Sequence, residues 1–261
     1  MSGRCDGLAV ELLTRWVNLR AGDYAMGQDK RNDREKLLRL LTADPSSQPE
    51  MDEASFIRLV EKQREGAGAD WHQRLPVLRD GRVTLRELQL TDVPGLVTNL
   101  TPDEVTRFLS PPPRRIEEFE RFVAWTHWER AAGNYACFAV VPDGFDAAVG
   151  LFQLRTLEPS FATAEWGFAL GSAFWGTGLF NAAAHLVLGF AFDQIRTHRL
   201  EARVAVPNGR GNGALRKLGA VQEGILRRSF LCNGHYLDQA LWSILDDDWR
   251  RVKETGRPTI H

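Results

Sequence analysis

The sequence predicts an α+β fold, a sheet wrapped by few helices, preceded by an all-helical extension. Three observations carry this. The first ~75 residues show apolar residues only at helical spacing. From about Leu75 onward, alternating and continuous apolar runs read as strands. Three of those strands follow one another with no helix between them, which a repeated βαβ plan does not do. At 261 residues the chain suits one ordinary domain with an extension, divided here into residues 1–74 and 75–261.

In the extension, Leu8, Leu12, Leu13, Trp16, Val17 and Leu19 recur at helical spacing, as do Leu37, Leu38, Leu40 and Leu41. Phe56, Leu59 and Val60 follow Met51-Asp52-Glu53, whose acids suit a helix start. Asp44-Pro45-Ser46-Ser47-Gln48-Pro49 and Gly66-Ala67-Gly68 are turn and linker chemistry. Three short helices bury little surface alone, so they are expected to dock on the following domain or on a second subunit, as a homodimer.

Residues 83–88 alternate like a half-buried strand, and Thr91-Asp92-Val93-Pro94 opens a short helix with proline in its first turn. After the stiff Pro111-Pro112-Pro113 break, residues 116–132 read as a longer helix stopped by Gly133. Residues 135–141 and 148–157 are apolar strands joined by a turn at Pro142-Asp143-Gly144. Residues 164–170 form a further strand, and residues 179–195 a strongly apolar helix with Leu179, Ala183, Leu186, Val187, Phe190 and Ala191 on one side. A strand at 198–206, a helical turn or two at 213–218 and a last strand at 238–245 complete the order.

Composition narrows the function. Hydrophobic residues make up 43% and charged residues 26%, a globular rather than disordered mixture. Lys+Arg is 33 against Asp+Glu 34, and no basic block offers a footprint for nucleic acid. Cys5, Cys137 and Cys232 lie far apart, with no ligand spacing, so neither a disulfide framework nor a metal site is expected. No run approaches membrane-spanning length, and Asp6 and Glu11 stand where a secretory leader is uncharged; the expected location is cytoplasmic.

The stretch that carries chemistry is Ala164-Glu165-Trp166-Gly167-Phe168-Ala169-Leu170, followed by Phe174-Trp175-Gly176-Thr177-Gly178-Leu179-Phe180. It is a strand, a glycine turn and a helix start, where backbone N–H groups and the helix dipole favour an anion such as pyrophosphate. Downstream lie Asn208-Gly209-Arg210-Gly211, then Lys217-Leu218-Gly219-Ala220 leading to Glu223-Gly224-Ile225-Leu226-Arg227, then Asn233-Gly234 with Asp238, and Asp248-Trp249. Spaced in this order, these runs resemble the GNAT acetyltransferases, specifically their RimJ/RimL-like branch, over about residues 75–249.

The resemblance implies the GNAT fold, a mixed and mostly antiparallel sheet with splayed central strands flanked by helices. It implies acetyl-CoA as co-substrate, with no metal, and a primary amine as acceptor, foremost a protein or peptide N-terminus. It places the CoA pyrophosphate on the amides of Trp175, Gly176, Thr177, Gly178, Leu179 and Phe180, and the pantetheine arm along Phe168, Ala169 and Leu170. It assigns Glu165 as the base that takes a proton from the acceptor, and Asn208 as a contact of cofactor or substrate near the thiol. The chain departs from the superfamily's pattern at Trp175, where the superfamily has Gln or Arg but tryptophan is normal for this branch, and at Phe180, in a Gly/Ala position. It departs again at Gly211, where a Ser could protonate the leaving thiolate, and at Ala220.

The residues alone leave alternatives. Glu165 is a base whose pKa burial raises, or a carboxylate facing solvent or paired with an arginine. Asn208 touches the cofactor or caps the next helix. Trp166, Trp175, His127 and His198 read as packing or structural groups, His185 as a core residue, and Cys137 and Cys232 as buried small residues. Tyr135 and Tyr236 each carry a phenol that nothing local assigns. Rival functions are a small-molecule acetyltransferase acting on an aminoglycoside, polyamine or amino acid, with Glu117-Glu118-Phe119-Glu120 as a patch for an aminoglycoside, and a CoA-binding regulatory module without chemistry. A nucleotide-binding protein is least favoured, for want of βαβ units and a third glycine.

Overall fold

The computed structural model describes residues 70–109, 113–158 and 160–255. The helices expected in residues 1–74 therefore lie, up to residue 69, outside the described residues, as do Cys5 and two of the three prolines at 111–113. The strands are β1 (Leu78–Arg79), β2 (Val83–Glu87), β3 (Tyr135–Pro142), β4 (Gly150–Thr156), β5 (Thr163–Leu170), β6 (Arg199–Ala205), β7 (Val221–Cys232) and β8 (His235–Leu245). They form one sheet in the order β1-β2-β3-β4-β5-β6-β8-β7. Neighbours are antiparallel except β5 and β6, which run parallel. The helices are α1 (Val93–Leu100), α2 (Asp103–Thr106), α3 (Ile116–Ala131), α4 (Leu179–Gly189), α5 (Gly209–Lys217) and α6 (Asp246–Thr255).

Both faces of the sheet are covered, which is why β3 and β4 read as near-continuous apolar runs. On one face, Ala164, Trp166, Phe168 and Leu170 of β5 pack with Phe138, Phe152, Leu200 and the apolar side of α4. On the other, Ala169 joins Tyr135, Leu151, Leu96 of α1 and Phe119 and Phe122 of α3. Each such aromatic or aliphatic side chain removed from water contributes about 1.5–3 kcal/mol. Alternation along β5 puts Glu165 and Gly167 on the Ala169 side.

Several elements differ from expectation: β1 and α2 are additional, and β8 starts at His235 rather than 238. β7 was not anticipated: it pairs only with β8, at the sheet's edge, and carries two register irregularities, so its residues are largely exposed and show no clean period. α5 starts at Gly209, earlier than residue 213, despite three glycines in its sequence. The long helix at 179–195 is α-helical only to Gly189 and continues as a π-helical turn, Phe190–Ile195. α6 follows β8 directly, its start marked by Asp246, Asp247 and Asp248.

The start of α1 is anchored by Asp92, a fully buried carboxylate. It accepts two bonds from the Arg86 guanidinium at 2.7 Å, one from the Gln89 N–H at 2.9 Å and one from the Ala148 N–H at 3.2 Å. Asp92→Asn removes the charge and one acceptor while leaving Arg86 largely buried. It should cost about 2 kcal/mol of unfolding free energy in urea; a loss below about 0.5 kcal/mol would contradict this.

Candidate active site

β5 and β6 pair over only three residues, Thr163↔Arg199, Ala164↔Leu200 and Glu165↔Glu201. Beyond that fork they separate. Gly167–Leu170 stay paired with β4, and Ala202–Ala205 with β8, so each bank keeps its outer ladder while its inner edge opens. Such a seam offers backbone N–H and C=O groups to an extended, amide-bearing chain, which completes the missing ladder. Phe168, Ala169 and Leu170 form one bank.

Past Leu170 the chain turns through Trp175-Gly176-Thr177-Gly178 into α4. Gly176 and Gly178 have φ of 76° and 86°, the left-handed region that glycine enters without steric cost. A Cβ on Gly176 would meet nothing within 4 Å, and one on Gly178 only Arg82 Nη1 at 3.8 Å, so the backbone here lies open to an approaching group. The Thr177 hydroxyl donates to the Phe174 carbonyl at 2.8 Å and takes the Leu179 N–H at 3.3 Å, fixing the turn. The next amides, of Phe180 and Asn181, begin α4 without intrahelical partners, and the Ala182 N–H closes the first turn on the Gly178 carbonyl at 3.1 Å. The Phe180 ring packs against Phe168, 4.6 Å between centroids, and Phe152, which accounts for an aromatic residue in the second glycine-like position. The Trp175 indole N–H donates to the Leu170 carbonyl at 2.9 Å.

On the opposite bank, Asn208 caps α5, its Oδ1 accepting the Gly211 N–H at 3.0 Å. A Cβ on Gly211 would come within 2.9 Å of Asn208 Nδ2 and 3.0 Å of Val204 Cγ1, so this cap leaves no room for serine. Asn212, unremarked in the sequence, ties the bank together. It donates to the carbonyls of Ala205 at 3.0 Å and Asn208 at 2.9 Å, and accepts the Trp242 indole N–H at 2.9 Å.

Glu165 sits at the fork, 3% exposed. Arg155 and Arg203 both donate to its Oε2, at 2.8 and 3.3 Å. Burial raises the Glu165 pKa above the ordinary carboxylate value, against the opposing pull of Arg203 and Arg155. The charges continue across β6 and β7: Arg199 donates to Glu201 at 2.9 Å and to Glu223 at 2.7 Å, and Glu223 accepts the Ser243 hydroxyl at 2.7 Å. The Arg199 hydrogen bonds bring the Glu223 pKa down to about 2.

The same face holds buried amides. Gln153 stands opposite Gly167, and its Oε1 accepts the Tyr135 phenol; Gln239 stands opposite Ala205, and its Oε1 accepts the Ser229 hydroxyl. Gln153 Nε2, Gln239 Nε2 and Arg155 Nε are buried with no hydrogen-bond acceptor. Small residues, Gly167, Ala169 and Ala205, line the seam between them. Beside the seam, buried N–H donors thus outnumber their acceptors, and two carboxylates, Glu165 and Glu201, stand side by side at the fork.

The structure brings together Glu165, Phe168 to Leu170, the Trp175–Phe180 turn and Asn208 around one seam. Other candidates fall elsewhere. Tyr236 is exposed at the β7–β8 turn, and His185 is half-buried, its Nδ1 against the Asn181 carbonyl, rather than in the core. His127 contacts the Leu88 carbonyl through Nε2. Cys137 and Cys232 are buried thiols, raised in pKa by that burial. Glu118 accepts the Arg114 N–H at the start of α3, while Glu117 and Glu120 face solvent, so that acidic run is a helix cap and a solvated face. Sequence reading missed Arg155, Arg203, Gln153 and Gln239. Only Arg155 left a local signal, since hairpin register places it opposite Glu165. No group of His, Cys, Asp and Glu suited to a metal occurs among the described residues, and no helix among them is long and apolar enough to cross a membrane.

The profile of the acetyltransferase (GNAT) domain matches residues 82–221. Among curated proteins, the uncharacterized N-acetyltransferase p20 of Bacillus licheniformis is 24% identical over 169 residues, 64% of this chain and 95% of that one. Spermidine N(1)-acetyltransferase of Escherichia coli K12 is 28% identical over 123 residues, 47% of this chain and 65% of that one. Among solved structures, Mycobacterium smegmatis RimJ in complex with CoA-disulfide aligns with a TM-score of 0.61 at 22% identity, over 70% of this chain and 94% of that one. Ribosomal-protein-S5-alanine acetyltransferase from Vibrio fischeri aligns with a TM-score of 0.60 at 19% identity, over 67% and 98%.

Proposed function

The chain belongs to the GNAT acetyltransferases, and on that premise we propose that it acetylates the N-terminal α-amine of a protein or peptide at the β5–β6 seam. Acetyl-CoA is the donor, supplying the acyl group activated as a thioester. The glycine turn fits its pyrophosphate: the backbone is unobstructed, and the α4 amides and dipole face an anion. The pantetheine arm, an extended chain with two amides, suits the open edge at Phe168, Ala169 and Leu170.

Glu165 takes a proton from the acceptor ammonium, directly or through one water. Oε2 takes a bond from each arginine, and we assign the other oxygen, Oε1, as the base. Its raised pKa narrows the gap to the amine, which makes the transfer less uphill. The amine attacks the thioester carbonyl, and backbone N–H groups of Phe168–Leu170 stabilise the charge developing on its oxygen. Asn208 orients the thiol end through its free amide nitrogen. As the adduct collapses, the attacking nitrogen gives its second proton to solvent and the leaving thiolate takes one from solvent, since Gly211 offers none.

The observation that carries the acceptor class is the donor surplus beside Glu165. Gln153 Nε2, Gln239 Nε2 and Arg155 Nε need oxygen acceptors. A peptide N-terminus presents a carbonyl two bonds from its amine; a polyamine presents amines alone and has no oxygen for those donors. The test is thiol release at saturating acetyl-CoA, comparing a peptide with a free α-amine, the same peptide N-terminally blocked, spermidine and an aminoglycoside. The free peptide should exceed the others in kcat/KM by about tenfold or more. Equal or faster turnover of spermidine, in line with one relative, would overturn the peptide reading.

A further inference from the structure

The turn that fits pyrophosphate has no basic residue of its own: Trp175-Gly176-Thr177-Gly178 offers amides and a helix dipole, and Arg82, whose guanidinium lies beside Gly178, also bonds Asp80 at 3.5 Å. Arg210, in the first turn of α5, lies over the Trp175 ring, its guanidinium carbon 4.2 Å from the ring centroid. The two residues belong to opposite banks, so this stack spans the seam beside the turn. The indole cannot swing away freely, because its N–H is bound to the Leu170 carbonyl. Arg210 is exposed, and among the described residues no carboxylate lies within ion-pair distance of it. Its charge is therefore unspent and its stem is held in place.

We propose that Arg210, held across the seam on Trp175, is a side-chain cation that binds the phosphates of acetyl-CoA and makes the enzyme favour the full CoA thioester over phosphate-free thioesters. The proposal rests on the reading that the glycine turn holds pyrophosphate. A planar guanidinium with one face on an indole keeps its edge N–H groups for paired bonds to phosphate oxygens. Fixing the side chain before the donor arrives lowers the ordering cost of binding. The cation that a basic residue at position 175 would place on the turn is supplied from α5 instead.

The experiment is steady-state kinetics of the full chain with acetyl-CoA and with S-acetylpantetheine, which lacks every phosphate. Arg210→Gln should raise the KM for acetyl-CoA about tenfold and leave kcat within about twofold. It should leave the S-acetylpantetheine parameters unchanged, and Arg210→Lys should recover part of the loss. Arg216→Gln, which removes another exposed arginine of α5 stacked on Trp242, should change neither donor's KM. An unchanged acetyl-CoA KM in Arg210→Gln overturns the proposal. So does an equal loss with both donors, which marks a purely structural role. Failure of the turn assignment itself shows separately, as intact CoA binding in a variant of Gly178.

Discussion

Gly178→Asp is expected to abolish CoA binding, lowering affinity by about 10³-fold or more. Gly178 is the N-cap of α4, at φ 86°, and a Cβ there has space, with Arg82 Nη1 3.8 Å away. Aspartate is among the residues that tolerate the left-handed region and is a favoured N-cap, so the helix should survive the change. The new carboxylate would take the amides that the pyrophosphate needs and set a negative charge against it. Loss of binding in a variant whose far-UV spectrum and melting temperature stay close to wild type therefore reports on the turn and not on unfolding. Calorimetry with CoA reads it directly. A dissociation constant within about threefold of wild type removes the turn from the donor site.

Glu165→Gln should lower kcat by about 10²-fold or more while CoA affinity holds. Glutamine keeps an oxygen to accept from Arg155 and Arg203 but cannot take a proton. The sign of the pH dependence follows from the raised carboxyl pKa. The base works only when ionised, so wild-type activity falls as pH drops through that raised value. The amine sheds its own proton as pH rises, so the deficit of the variant should shrink toward alkaline pH. Two arginines then face a neutral partner, so melting temperature and CoA binding are read alongside. Equal activity near neutral pH takes Glu165 out of the mechanism, whereas a deficit that is constant across pH assigns it a structural role.

What the sequence disclosed follows from how local each signal is. The strand–turn–helix from Ala164 to Phe180 is contiguous, so its glycines and their place at a helix start are visible in one window. The buried strands β3 and β4 show as apolar runs because both faces are covered. β7 does not, because an edge strand with few buried residues carries no period. Glu165 stood out as a carboxylate among apolar neighbours, but its second partner, Arg203, lies 38 residues away on β6 and meets it only once the sheet closes. The donor surplus is still less local: Gln153 and Gln239 come from β4 and β8 and share a face only through the registers of the intervening strands. Arg210 and Trp175 likewise meet only where the two banks face each other across the seam.

The central claim is that the acyl group crosses to a peptide amine at the fork of β5 and β6, beside Glu165. A crystal structure with a bisubstrate analogue, CoA joined through its sulfur and an acetyl bridge to the α-amine of a peptide, tests it most directly. The pyrophosphate should sit on the amides from Gly176 to Phe180, and the pantetheine should fill the seam along Phe168, Ala169 and Leu170. The peptide nitrogen should lie within hydrogen-bond reach of Glu165 Oε1, directly or through one water. The first peptide carbonyl should meet Gln153, Gln239 or Arg155. An analogue bound with its pyrophosphate away from the turn, or with its peptide nitrogen on the face of the sheet opposite Glu165, would contradict the account.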